Sequence, residues 1–217
     1  MLRTPTLDWY FDVISPFAYL QFQRLREVEA RAQVRRVPVL FARLLEHWGQ
    51  KGPAEIVPKR RFTFRYAVWR AARMGVRLQL PAAHPFNPLK LLRLAVALDA
   101  SPDAVRAIFD FVWADGHVPD EADAWCQLCT TLGVADGDAL VAKPEVKEAL
   151  RANVEEAVRR QVFGVPSFVT ADGEIFWGED ATDMVLDYLS GSPVLHTGEI
   201  LRADDLPVGA MRKAVVR

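Results

Sequence analysis

The sequence predicts an α/β fold in which a long block of helices interrupts a small unit of βαβ and ββα pieces. Three observations carry this. A short aromatic and β-branched run, Trp9-Tyr10-Phe11-Asp12-Val13-Ile14, stops at Ser15-Pro16 and gives way to a helical pattern. A second short apolar run, Ser167-Phe168-Val169-Thr170, opens far downstream on Gly164-Val165-Pro166. Between them, segment after segment has helical spacing and helix punctuation.

The first run is a buried strand. Ser15 is the N-cap of the helix that follows, with Pro16 at its first position, where the missing N–H costs nothing. A strand that turns straight into a helix aims a small hydroxyl and free backbone N–H groups at one point. That point suits a bound anion such as a phosphate, a carboxylate or a thiolate, and Ser15 as a cap alone is the other reading. Helix 16–32 places Phe17, Leu20, Leu25 and Val28 on a rough 3.6 period. Residues 33–40 form a second strand through Val34, Val37 and Val39. Residues 58–74 are a basic amphipathic helix ending at Gly75, a C-cap signal.

A helix over 87–100 follows, and Ser101-Pro102-Asp103 caps another that runs to about Asp115. Residues 119–132 form a helix stopped by Gly133, and 144–162 form a long one with alternating charge. Proline cannot donate to a ladder, so Pro166 belongs at the start of its strand. A cis Val165-Pro166 bond there would leave the Val165 N–H and C=O open to an extended peptide. Asp172-Gly173 predicts a type I′ turn returning through Glu174-Ile175-Phe176. Residues 180–189 are the last helix, and the chain from Ser190 is a tail of weak periodicity. Joined, the outer pieces make a thioredoxin-like fold with an inserted all-helical domain. Residues 1–54 and 161–190 form the thioredoxin-like part, 55–160 the insert with a core of its own, and 191–217 the tail. The ligand site is expected at the seam.

Composition narrows the partners. The chain has 217 residues, is 51% hydrophobic and 25% charged, and has a net charge of −1, which excludes a basic nucleic-acid footprint. No apolar run nears the roughly 18 residues that span a bilayer. Met1-Leu2-Arg3 leads almost directly into the first strand without a signal-peptide pattern, so a cytoplasmic, reducing location is the expectation. The two cysteines, in Trp125-Cys126-Gln127-Leu128-Cys129, mimic a redox dithiol. Such a dithiol needs a strand before it so that the first Cys caps a helix. Here Pro119 to Ala124 is a helix start, which puts both thiols inside a helix as small hydrophobes, without partners for zinc.

Taken in order, Phe11-Asp12 with Ser15-Pro16-Phe17-Ala18-Tyr19-Leu20, Pro58-Lys59, Pro85-Phe86-Asn87, Gly164-Val165-Pro166-Ser167-Phe168 and Trp177-Gly178-x-Asp180 resemble the 2-hydroxychromene-2-carboxylate isomerases. These are relatives of kappa-class glutathione transferases and, more distantly, of bacterial disulfide oxidoreductases. The resemblance spans residue 6 to about 190.

The resemblance implies a glutathione site. Ser15 stands where a serine hydrogen-bonds the glutathione sulfur. Val165, with Pro166 as the cis proline, stands where backbone groups pair with the cysteinyl unit. It implies Asp180 for the γ-glutamyl group, Lys59 for ligand carboxylates and Asn87 for the substrate cleft. Each has a plainer reading: Asp180 and Asn87 as helix caps, Lys59 in a solvated Lys59-Arg60-Arg61 run, and Phe62, Phe86 and Trp177 as core packing. The four histidines are isolated and carry no assigned role. The chain departs from the pattern at Gln50, at Phe62, where a Tyr is expected, and at Glu179 and Ala181, which replace the Asn and Arg of a Trp-Gly-Asn-Asp-Arg run. The implied activity is a glutathione-dependent isomerisation of an aromatic acid by a homodimer. A glutathione transferase or peroxidase, and a non-catalytic or dithiol protein, are the alternatives.

Overall fold

The computed structural model describes residues 4–210. β1 (Thr6–Phe11), α1 (Pro16–Glu29) and β2 (Gln33–Pro38) open the chain, with β1 and β2 parallel and Leu7 opposite Val34. α2 (Phe41–His47) leads to the helical block of α3 (Val57–Met74), α4 (Leu89–Ala97), α5 (Pro102–Phe109), α6 (Ala122–Thr131), α7 (Gly137–Ala142) and α8 (Pro144–Arg159). The chain returns through β3 (Ser167–Thr170), β4 (Ile175–Trp177) and α9 (Thr182–Ser190). The sheet order is β2-β1-β3-β4, with β3 antiparallel to β1 and β4 antiparallel to β3.

The pleat of β1 divides the core. Leu7, Trp9 and Phe11 face one side, where Trp9 stacks on Phe11 at 4.6 Å between centroids. Phe22 of α1, Phe109 of α5 and Phe168 of β3 close around them. Tyr10 faces the other side with Val37, Val39 and Val169, against Leu44 of α2 and Ala157 of α8. The helical block therefore has no separate core: its Phe109 and Trp113 are part of the sheet's own packing. The expectation of an independently packed insert gives way to a shared one.

Several local expectations change as well. The helix expected over 87–100 is Leu89–Ala97, because Asp99 and Ala100 adopt left-handed φ of 53° and 46°. The helix after Ser101 ends in a π turn at Asp110–Ala114. In the β3–β4 turn only Gly173 has positive φ, at 102°, so it is not type I′, which needs two such residues. The tail contains a 3-10 turn at Pro193–His196 and α10 (Glu199–Asp204). Residues 1–3 of the expected N-terminal part and 211–217 of the tail lie outside the described residues. Among the described residues no helix is long and apolar enough to cross a membrane.

Candidate active site

Ser15 caps α1 from extended backbone, φ −90° and ψ 116°, and is 8% exposed. Its Oγ accepts the Ala18 N–H at 3.2 Å, and among the described residues the hydroxyl's own hydrogen has no acceptor, leaving it free to donate. Its carbonyl accepts the Tyr19 N–H, and Pro16 has no N–H to offer. The Phe17 N–H, next in line, has no partner among the described residues. A donor hydroxyl and an open N–H at the positive end of a 14-residue helix make an anion seat.

The turn that presents Ser15 is held from all sides. Asp12 accepts the Ile14 N–H at 3.0 Å and the Phe41 N–H at 2.8 Å on its carboxylate, and the Ser15 N–H at 3.1 Å on its carbonyl. Asp12 is fully buried, and that burial pushes its pKa up to about 7 against the lowering effect of the backbone N–H groups. Sequence reasoning passed over Asp12 as a working residue. Its signal was an acid inside an otherwise apolar run.

Across the cleft lies the Val165-Pro166 peptide, which is cis, as expected. The Val165 N–H and C=O have no partner among the described residues, whereas the Pro166 carbonyl accepts the Gly178 N–H at 2.9 Å. A Cβ on Gly164 would collide with the Trp177 indole, so glycine there lets Trp177 fold over the strand entrance.

Ser15, Val165, Pro166, Lys59 and Asp180 line one cleft of about 720 Å3. Lys59 is exposed on the first turn of α3 and makes no ion pair among the described residues. Asp180 is exposed and likewise unpaired. It is not a helix cap, because α9 starts at Thr182 with Ala181 at the N-cap. Phe62 is 67% and Trp177 55% exposed, and both line the cleft, so neither is core. Phe86 joins them half-buried, and His84 lines the same cavity.

Asn87 stands apart. Its Oδ1 accepts the Leu89 N–H at 3.1 Å, and it borders a separate niche with Lys90, Arg93 and Asp120. The structure does not bring it to the Ser15 cleft; nor is it the helix cap, since Pro88 holds that position, and its bond to Leu89 is a local turn just ahead of α4. Glu179, seen in the sequence only as a departure, proves to be a buried carboxylate at the cleft wall. Arg70 of α3 grips it with two hydrogen bonds of 2.9 Å. Cys126 is exposed and Cys129 buried on α6, both as free thiols, and neither lines the cleft. Burial pushes the Cys129 thiol pKa up, which disfavours a thiolate. Among the described residues no group of His, Cys, Asp and Glu could hold a metal ion.

The family of DSBA-like thioredoxin domains matches residues 6–190. The chain is similar to the 2-hydroxychromene-2-carboxylate isomerase of Sphingobium xenophagum, 31% identical over 86% of this chain and 98% of that protein. It is similar to glutathione S-transferase kappa 2 of Caenorhabditis elegans, 25% identical over 88% of this chain and 94% of that one. A solved 2-hydroxychromene-2-carboxylate isomerase shares the fold with a TM-score of 0.74 and 24% identity, covering 93% of this chain and all of its own.

Proposed function

The chain belongs to the DSBA-like thioredoxin domain family, and from that premise we propose that it is a glutathione-dependent isomerase of an aromatic acid of the 2-hydroxychromene-2-carboxylate type. One observation carries the reading: a serine, with its hydroxyl hydrogen free, caps α1 opposite an unpaired Val165 backbone. The relatives named as isomerases support the same chemistry.

The residues present fit glutathione. The open Val165 N–H and C=O suit an extended cysteinyl unit by strand addition. The unpaired Asp180 carboxylate suits the γ-glutamyl ammonium, and Lys59 suits a carboxylate of glutathione or of the substrate. Pro166 shapes the floor beside Val165. Asn87 has no part in this arrangement.

When bound, glutathione supplies a thiol whose reversible addition lets the chromene ring open and rotate about its former double bond before the thiol leaves unchanged. The protein's share is electrostatic and steric. A free thiol ionises near pH 8.5; the Ser15 O–H and the Phe17 N–H at a helix N-terminus favour its charged form. Ser15 donates rather than attacks, since no histidine or carboxylate hydrogen-bonds its Oγ among the described residues. Phe62, Phe86 and Trp177 give the aromatic ring an apolar wall.

The reading places the glutathione site on residues 1–54 and 161–190, with 55–160 as the insert that supplies the substrate wall. It extends to a cytoplasmic homodimer, on the strength of the resemblance, and sedimentation of the purified chain tests the assembly. A transferase that consumes glutathione is the second reading, favoured by the kappa-class relative. Conversion of 2-hydroxychromene-2-carboxylate, followed by ultraviolet absorbance with substoichiometric glutathione, separates them. Many turnovers per glutathione support the isomerase. One turnover, with a stable thioether, gives the transferase, and no conversion removes this substrate.

A further inference from the structure

The helical block reaches into the Ser15 turn with two ring N–H groups. Trp113 Nε1–H donates to the Val13 carbonyl at 2.8 Å. His84 Nε2 lies 3.0 Å from the Ile14 carbonyl, and since a carbonyl only accepts, Nε2 carries the hydrogen. Each carbonyl belongs to a peptide whose N–H is also engaged. The Ile14 N–H runs to Asp12 Oδ1 at 3.0 Å, and the Ser15 N–H to the Asp12 carbonyl at 3.1 Å. Two hydrogen-bonded chains thus run side by side, each from a ring N–H through one peptide unit to Asp12. Bonds in such chains polarise and strengthen one another.

The two rings differ in burial, His84 standing half-buried at the cleft wall. Trp113 is fully buried, and His84 meets Phe64 edge-on at 4.8 Å and Phe86 at 6.0 Å. Burial holds the His84 pKa below its usual value, which favours the neutral ring with a single N–H. Without its ring partner, the Val13 or Ile14 carbonyl would be left short of an acceptor's partner at a largely enclosed turn. Such a group turns to find another, and the Ser15 peptide turns with it.

We propose that His84 and Trp113 are positioning residues for Ser15, holding the turn so that the Ser15 hydroxyl and the Phe17 N–H converge on one anion. The inference rests on Ser15 as the sulfur site.

The test compares His84→Phe, which keeps a ring against Phe64 and Phe86 but loses the donor, with His84→Gln, which keeps an N–H. In the unliganded chain, amide exchange at Ile14 and Ser15 should speed up roughly tenfold in His84→Phe and stay near wild type in His84→Gln. With glutathione bound, His84→Phe should lose roughly tenfold in thiolate fraction at neutral pH and in kcat, with KM little changed, and His84→Gln should recover both. If His84→Phe does not fold, His84→Asn, whose shorter amide draws back from Ile14, takes its place. Unchanged exchange at Ile14 and Ser15 overturns the positioning role whether or not glutathione binds. Unchanged thiol titration in a variant that binds glutathione overturns it too. Failure of the functional reading looks different: no thiolate signal in the wild-type protein at all.

Discussion

Ser15 and Asp12 sit three residues apart and answer to different physics. Ser15 has one lone pair committed to the Ala18 N–H and one hydrogen to give. Ser15→Ala removes both, costing about 1 kcal/mol of cap stability, which leaves the fold in place. Loss of a donor to a charged sulfur costs about 1.5–3 kcal/mol, so the thiol pKa of bound glutathione should rise by about one to two units. Thiolate absorbance against pH reads this directly, and an unchanged titration in Ser15→Ala would reduce Ser15 to a helix cap. Asp12 is a stability residue. Its pKa is lifted to about 7, so above the ordinary carboxylate range the folded chain keeps a proton that the unfolded chain has released. The contribution is full at low pH and is lost as pH rises through about 7. Wild-type stability should therefore fall by on the order of 3 kcal/mol between about pH 5 and about pH 8. Asp12→Asn should be less stable at low pH, because an amide N–H then faces a backbone N–H, and should show a flatter profile. Denaturant midpoints across that range give the comparison, and equal slopes would contradict the buried-acid account.

At the scale of the element, the helix starts and stops were legible where a local signal existed. Ser15-Pro16 and Ser101-Pro102 do cap and start helices, and Gly75 closes α3 with φ of 67°. α2 was not legible, because its N-cap is Leu40, which makes no side-chain cap bond; the Phe41 N–H is satisfied by Asp12 from another part of the chain. The turn after β3 misled because Asp172-Gly173 is as compatible with one left-handed residue as with two. The Cys126 and Cys129 pair was legible through what precedes it. A helix start at 122 places both thiols within α6, away from any helix N-terminus that would favour a thiolate. Replacing both by alanine should leave turnover within about twofold and cost on the order of 1–2 kcal/mol, from Cys129 packing against Trp125 and Gly137. A folded double variant without activity would bring back the dithiol reading, and steady-state rates beside a melting curve decide it.

At the scale of the whole molecule, the cleft exists because two segments over a hundred residues apart meet. α3 carries Lys59 and Phe62 on one wall, and the end of β4 with the connection to α9 carries Trp177 and Asp180 on the other. The position of the seam could be read from the order of elements. What ties it could not, because Arg70 and Glu179 are 109 residues apart and neither has a local motif. Glu179 has only 2% of its side chain exposed and Arg70 29%, joined by a two-point fork. The fork ties α3 to the loop before α9, and so joins the two walls directly. Removing one partner of such a pair strands a buried charge, whereas removing both leaves neither charge behind. Arg70→Met should therefore destabilise the chain by about 3 kcal/mol, and Arg70→Met with Glu179→Gln should recover at least about 1 kcal/mol of that. The same order should hold for glutathione affinity, weakest in the single variant, because Asp180 follows Glu179 directly in the loop the fork holds. Chemical denaturation and calorimetric titration on the four proteins of the cycle measure both couplings. Additive effects in stability would show that Arg70 and Glu179 merely lie together, and that the walls of the cleft are held apart by the shared aromatic core alone.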